Sequence, residues 1–374
     1  MRVVDTERQV LDRICRIHPK FRPVWQSLSK PEQLALALYF LPHRSSRPEL
    51  RPTRPRLVKW YCPFADQAVF PSGHRYCLNV YAGCGHACRY CYAAAYEPAD
   101  PAPKARFEKL LRLDMEDLER FDVPPAPIHL SNSTDPFQPL EVRLRHTLAA
   151  LEAIQAHRRR FSTVVILTKN PRLAAGDSYL ALLRDLAASS RDRAPAAAGA
   201  AAPGLVVEVS LAFWREECRT AYDPGAPGIE DRIEGCRLLA GAGIPLVLRI
   251  DPLFPRRPSP GDDAHPWPAG WPEPQTGEDL EQLVWLAREI GASHVVYSPL
   301  RVVRPRYPSL AVDQQALLSI CRAAAGTERL PFRAGSWRLP DELAGTQLVQ
   351  PFLSICRRLG VRAKFCRQNL VETR

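Results

Sequence analysis

Long apolar runs are missing from this sequence. No stretch approaches the roughly 18 consecutive apolar residues that a membrane span requires, so no membrane association is expected. The opening residues, MRVVDTERQVLDRICRI, are charged throughout and have none of the apolar core of a signal peptide. A soluble, cytoplasmic protein is the expectation. Tandem repeats are absent too. Lysine is scarce: of the 51 basic residues only 7 are Lys, against 44 Arg. With 40 acidic residues the formal net charge is +11. A surplus of that size attracts polyanions such as nucleic acid. The same Arg, Ala and Pro bias is also what a GC-rich coding sequence produces, so charge alone does not name the partner.

Disulfides are not expected either. The chain has 11 cysteines, an odd number, and a reducing compartment disfavours pairing. Cys15, Cys62, Cys77, Cys218, Cys236, Cys321, Cys356 and Cys366 are scattered and read as small core residues. Cys84, Cys88 and Cys91 are clustered and read as metal ligands. With 374 residues, 46% of them hydrophobic, the chain can bury a core without disulfide or metal staples.

Residues 1–60 read as an N-terminal helical and basic extension. Ser29 and Pro31 open a helical apolar run, and an Arg/Pro-rich connector, HRSSRPELRPTRPR, follows at 43–56. From about residue 77 the pattern alternates. Strands are expected at 77–82, 127–131, 162–168, 205–211, 244–250 and 294–298. Helices are expected near 104–120, 140–158, 177–188, 228–242 and 278–290. Alternation of this kind predicts a parallel α/β sheet with right-handed crossovers. Six units are too few for a closed eight-unit barrel and suit an open, partial (β/α)6 barrel over 61–300, with the active site at the strand C-terminal ends. Residues 301–374 read as a C-terminal helical elaboration. Two insertions interrupt the core: a low-complexity loop at 189–204, and a proline-rich excursion at 254–277 carrying Trp267 and Trp271.

The segment GCGHACRYCYA holds the cysteine cluster. Three thiolates on a tight loop after a strand can ligate three irons of a cubane cluster, leaving the fourth iron open to a small molecule. Gly83 and Gly85 let the backbone turn closely round the inorganic sulfurs. Zinc is the alternative, but it takes four protein ligands in paired spacing. Here the spacing is C-x3-C-x2-C, so His86 or Cys77 would have to be recruited.

This spacing, with an aromatic residue (Tyr90) just before the last cysteine, resembles the signature of the radical S-adenosylmethionine (SAM) superfamily. Later blocks are similar to its spore photoproduct lyase-like branch. They are LSNSTDPFQPLE (Leu130 to Glu141), ILTKN (Ile166 to Asn170), VEVSL (Val207 to Leu211) and the helix–AGIP–strand unit from Arg232 to Arg249. The likeness spans about 60–300. It implies a radical SAM barrel with a [4Fe–4S] cluster on Cys84, Cys88 and Cys91, and SAM on the open iron. A one-electron reductant of flavodoxin or ferredoxin type would feed the cluster. SAM would be cleaved to methionine and a 5′-deoxyadenosyl radical that abstracts a hydrogen atom from substrate. By the same resemblance Tyr90 packs near the adenine. The turn Ser131, Asn132, Ser133, Thr134, Asp135 contacts the methionine amino group, Lys169 meets the SAM carboxylate, and Ser210 touches SAM. Arg249 and Asp251, which close the fifth strand, either pair with each other or face the SAM ribose. Tyr92 is the catalytic candidate, for radical relay.

One departure stands out. The lyase keeps a cysteine hydrogen-atom donor just before the acidic residue of its second-strand loop, where this chain has Asn132-Ser133. Repair of the spore photoproduct is therefore not expected unless Cys62, Cys218 or Cys366 supplies a thiol. Three readings follow: a radical SAM enzyme acting on nucleic acid or nucleotide, one acting on a peptide or small metabolite, and a zinc-stabilised binding protein without catalysis. The sequence leaves the substrate and the oligomeric state open.

Overall fold

A computed structural model describes residues 21–27, 56–59, 75–98, 100–120, 125–188, 204–258, 265–333 and 335–366. The expected helix at 29–40, most of the basic connector and nearly all of the 189–204 loop lie outside these residues. The main sheet has eight strands, hydrogen-bonded in chain order. They are β1 (Val58–Lys59), β2 (Tyr76–Leu78), β3 (Ala126–Leu130), β4 (Phe161–Thr168), β5 (Leu205–Ser210), β6 (Leu246–Leu253), β7 (Val295–Pro299) and β8 (Ala363–Phe365). Only β1 is antiparallel to its neighbour; every pair from β2 to β8 is parallel. Sequential parallel order requires a crossover between each pair of strands, and helices supply them. The main ones are α1 (Phe107–Arg120), α2 (His146–Ala156), α3 (Asp177–Ala188), α4 (Ile229–Gly241), α5 (Gly277–Glu289) and α6 (Ala311–Ala325). This is the expected open, partial (β/α)6 barrel, β2 to β7, with β8 added at its edge.

Alternation along the strands separates two faces. Val164, Ile166, Val207, Val209, Leu246, Leu248, Ile250 and Val295 join one large core under the helices. On the other face Val206, Val247 and Val296 form a separate small cluster against Cys366. Between and above those valines stand polar residues, Glu208, Ser210, Arg249, Asp251 and Ser298. The barrel interior is thus apolar at one level and charged at the next.

Two expected elements are broken. The run 77–82 splits after Leu78, and Tyr81–Ala82 pairs with Ala102–Pro103 in a small separate sheet. The helix expected over 140–158 divides at Arg145, whose φ of 52° is left-handed. Glu141, fully buried, is the cause. Its carboxylate accepts the backbone N–H of Thr147 at 2.8 Å and of Leu148 at 3.2 Å, so it caps the start of α2. It also accepts hydrogen bonds from the hydroxyls of Tyr81 and of Tyr179, the latter at 2.6 Å. In the C-terminal segment β8 completes the sheet, so 301–374 is not helical throughout. Among the described residues no helix is long and apolar enough to cross a membrane.

Removing the Glu141 carboxylate strands several buried donors at once, each worth about 1–3 kcal/mol. Glu141→Ala is expected to lower unfolding stability by at least about 3 kcal/mol. Denaturant titration checks this, and a variant within about 0.5 kcal/mol of wild type would show the cap to be dispensable.

Candidate cofactor site at the cysteine loop

The cysteine loop is pinned from outside by backbone contacts. Gly85 N–H donates to Gln138 Oε1 at 2.8 Å, and Gln138 Nε2 donates to Gly83 O at 3.2 Å. Arg89 N–H donates to Tyr222 O at 2.9 Å, and Gly225 N–H to His86 O at 3.0 Å. A Cβ on Gly225 would stand 2.3 Å from Gly85 O, so only glycine permits this approach. Gly83 takes φ +67°, the left-handed turn expected of it. Gly85 does not share it; it stays clear of the left-handed region.

The three thiols are free and half-buried. Burial pushes Cys84 up to about 12, and Cys88 and Cys91 are also raised chiefly by burial. A bound cation is what would turn such thiols into thiolates. Among the described residues no three His, Cys, Asp or Glu side chains already close round a single metal ion. A cubane spreads its protein ligands over separate irons, so it does not need thiols converged on one point. The two side chains that zinc would have to recruit face other groups. His86 Nδ1 lies 3.2 Å from Gly225 O, and its Nε2 lies 3.1 Å from Asp135 Oδ2. Cys77 is buried and accepts from Asn132 Nδ2 at 3.1 Å.

Beside the loop, at the ends of β4 and β5, three of the expected cofactor residues meet. Lys169 Nζ donates to Tyr90 Oη at 2.7 Å and to Ser210 Oγ at 3.1 Å. Two residues the sequence did not flag complete the group. Lys169 Nζ pairs with Asp223 Oδ2 at 3.1 Å, and Arg232 Nη2 reaches the same oxygen at 3.3 Å. Burial would raise Asp223, but Lys169 and Arg232 outweigh it and hold the carboxyl well below the usual range. The Tyr90 hydroxyl and this carboxylate share the Lys169 ammonium. Tyr90 also packs edge-on to Phe254 and Phe213, with ring centroids 5.4 and 5.9 Å away. The proline-rich excursion returns here: Trp271 packs on Tyr222 at 4.9 Å and under the Arg89 guanidinium at 5.1 Å.

The Ser131–Asp135 turn divides its roles. Asp135 has no acceptor capacity to spare. Its Oδ1 takes Phe137 N–H and Thr168 Oγ1, both at 2.8 Å, and its Oδ2 takes Lys169 N–H at 2.6 Å besides facing His86. It holds the site together rather than facing a ligand. Ser131, with φ +61°, and Thr134 have buried hydroxyls without a hydrogen-bond partner. Asp223 Oδ1 is likewise buried without one. Buried polar atoms are ordinarily satisfied, so this corner has capacity for a polar ligand. Ser133 Oγ meets Tyr96 Oη at 3.1 Å, and the Asn132 carbonyl accepts the Tyr92 hydroxyl.

Arg249 is engaged on the interior face. It pairs with Glu208 at 2.7 Å and Asp251 at 2.6 Å, and its Nη2 lies 3.0 Å from Cys366 Sγ. The internal pairing open to it in the sequence is what forms. The Tyr92 ring faces that of Tyr96, with centroids 6.3 Å apart. Cys218 is buried and faces Glu273 O at 3.2 Å, and Cys62 lies outside the described residues.

No family model matches the chain. Uncharacterized proteins of Mycobacterium tuberculosis and Mycobacterium bovis are each 28% identical to it over 196 residues, 50% of this chain and 52% of theirs. The chain thus spans about half the length of the curated relatives it matches. Two solved structures of spore photoproduct lyase variants match with TM-scores of 0.54 and 0.53 at 14% identity, covering 83% of this chain and 79% of theirs. A third, a variant with dinucleoside spore photoproduct, matches with a TM-score of 0.51 over 80% of this chain and 78% of its own. Likeness at that identity is likeness of fold, and the chain has the fold of spore photoproduct lyase.

Proposed function

We propose that the chain is a radical SAM enzyme whose cluster is held by Cys84, Cys88 and Cys91 and whose SAM pocket is built round Lys169. The observation that carries this reading is the meeting of Tyr90, from the cysteine loop itself, with Lys169 and Ser210 at the ends of β4 and β5, on this fold. When bound, the reduced cluster supplies one electron that cleaves SAM into methionine and a 5′-deoxyadenosyl radical, the hydrogen-abstracting species. The chain's own residues position and shield. Lys169 offers an ammonium to a carboxylate, Tyr90 and Ser210 hold that ammonium in place, and Ser131 and Thr134 offer unsatisfied hydroxyls. Phe213, Tyr222 and Phe254 exclude water from the same wall. The Asn132 carbonyl fixes the Tyr92 hydroxyl beside the cysteine loop, which makes Tyr92 the candidate for hydrogen-atom relay. Asn132 and Ser133 cannot donate a hydrogen atom as a thiol does, so a thiol that quenches the product radical has to come from elsewhere, and Cys366, a free thiol beside Arg249 on the interior face, is the described cysteine placed for it.

A nucleic acid or nucleotide is the substrate class we favour. The +11 net charge supports it, and one solved structure of this fold holds a dinucleoside photoproduct. Affinity for a DNA oligonucleotide is expected to fall steeply between 50 and 200 mM salt, as it does for about 6–10 phosphate contacts. Binding that is absent or indifferent to salt would move the assignment to a peptide or small metabolite.

Two substitutions test the cofactor assignment. Three ligands leave no redundancy, so Cys88→Ala should lose nearly all reconstituted iron and the associated visible absorption. Iron at the wild-type level would sink the cluster assignment. Lys169→Ala should keep the cluster but weaken SAM binding about tenfold or more, measured by equilibrium dialysis. An unchanged Kd would show that the ammonium serves only Asp223.

A further inference from the structure

Lys169 presents a difficulty. An ammonium already paired with a buried carboxylate is electrically neutral as a unit and has little attraction left for a second anion. Arg232 resolves it. Its side chain is fully buried, on α4, and both terminal nitrogens approach Asp223 Oδ2, at 3.3 and 3.5 Å. Its Nε also donates to the Lys169 backbone carbonyl at 3.0 Å. Two cations therefore share one carboxylate, and the group carries a net charge of about +1. Asp223 and Arg232 side chains are 0% exposed, and Lys169 is 11% exposed. The excess charge can meet a ligand only at Lys169.

We propose that Arg232 and Asp223 are positioning residues that make Lys169 a carboxylate receptor: Asp223 aims the ammonium, and Arg232 offsets Asp223 so that one positive charge stays available at Lys169 Nζ. The proposal rests on the SAM reading above and adds the means by which the pocket recognises the amino-acid end of that ligand. It is a charge effect on one ligand group, so it is separable from a packing role. A buried arginine needed only for packing would affect every ligand of the pocket alike. One that acts through Lys169 affects only ligands bearing the carboxylate.

The experiment uses the full chain with its cluster reconstituted. Equilibrium dialysis compares SAM with decarboxylated SAM, which lacks only the carboxylate, on wild type, R232M, R232K and K169M. R232M should weaken SAM about tenfold or more, with a loss of the same order in K169M. Affinity for decarboxylated SAM should change less than about threefold in both. R232K keeps the charge and should retain SAM affinity within about threefold of wild type. Should R232M fail to fold by circular dichroism, R232Q carries the same comparison. Equal losses for the two ligands, or an unchanged SAM affinity in the neutral variant, would overturn the proposal while leaving the SAM reading intact. A wild-type protein that holds its cluster but binds no SAM would overturn that reading, and this inference with it.

Discussion

Asp135 carries a buried negative charge where three parts of the chain meet, and the site is assembled on it. His86 brings the cysteine loop, Phe137 the turn after β3, and Thr168 and Lys169 the end of β4. Taking a carboxylate out of water costs several kcal/mol unless donors replace the solvent. Here both oxygens are satisfied, and burial is outweighed by His86 and these hydrogen bonds, so the carboxyl stays below its usual range. The same contacts fix the backbone on either side of Lys169 and orient the loop bearing Cys84 and Cys88. The carboxylate that the resemblance places among the ligand contacts is the support that puts those contacts within reach of each other.

Charge is organised in layers away from that point. Asp223 sits between Lys169 and Arg232, and Glu208 and Asp251 flank Arg249 on the interior face. Each charge in these two groups has an opposite partner, one of the conditions under which charges persist in an interior. The two groups differ in sign. Two cations share one anion beside Tyr90, while two anions share one cation inside the barrel. A carboxylate is favoured at the first group, and a cation or hydrogen-bond donor at the second.

Much of this was legible in the sequence. β4 and β5 are β-branched runs bounded by turn residues, and they fall within a residue of where the pattern puts them. Lys169 stood out as a lysine in a chain of arginines. What could not be read were effects of distant partners. Glu141 divides a continuous helical pattern because its side chain caps the following residues and takes hydroxyls from Tyr81 and Tyr179. Asp223 lies 54 residues from Lys169, in a DPG segment that reads only as a turn. Arg232 was noted only as the start of a motif block, and its full burial, the sign of a buried charge partner, is visible only in three dimensions.

The central claim is that the three cysteines hold a cluster with one iron open to SAM, next to Lys169. Electron paramagnetic resonance of the anaerobically reconstituted, reduced protein, recorded without and with SAM, tests it most directly. The expected result is the signal of a reduced [4Fe–4S] cluster whose g-values shift when SAM is added, because the ligand enters the cluster's own coordination. A signal identical in the two samples, or a colourless protein that retains zinc and no iron, would contradict it.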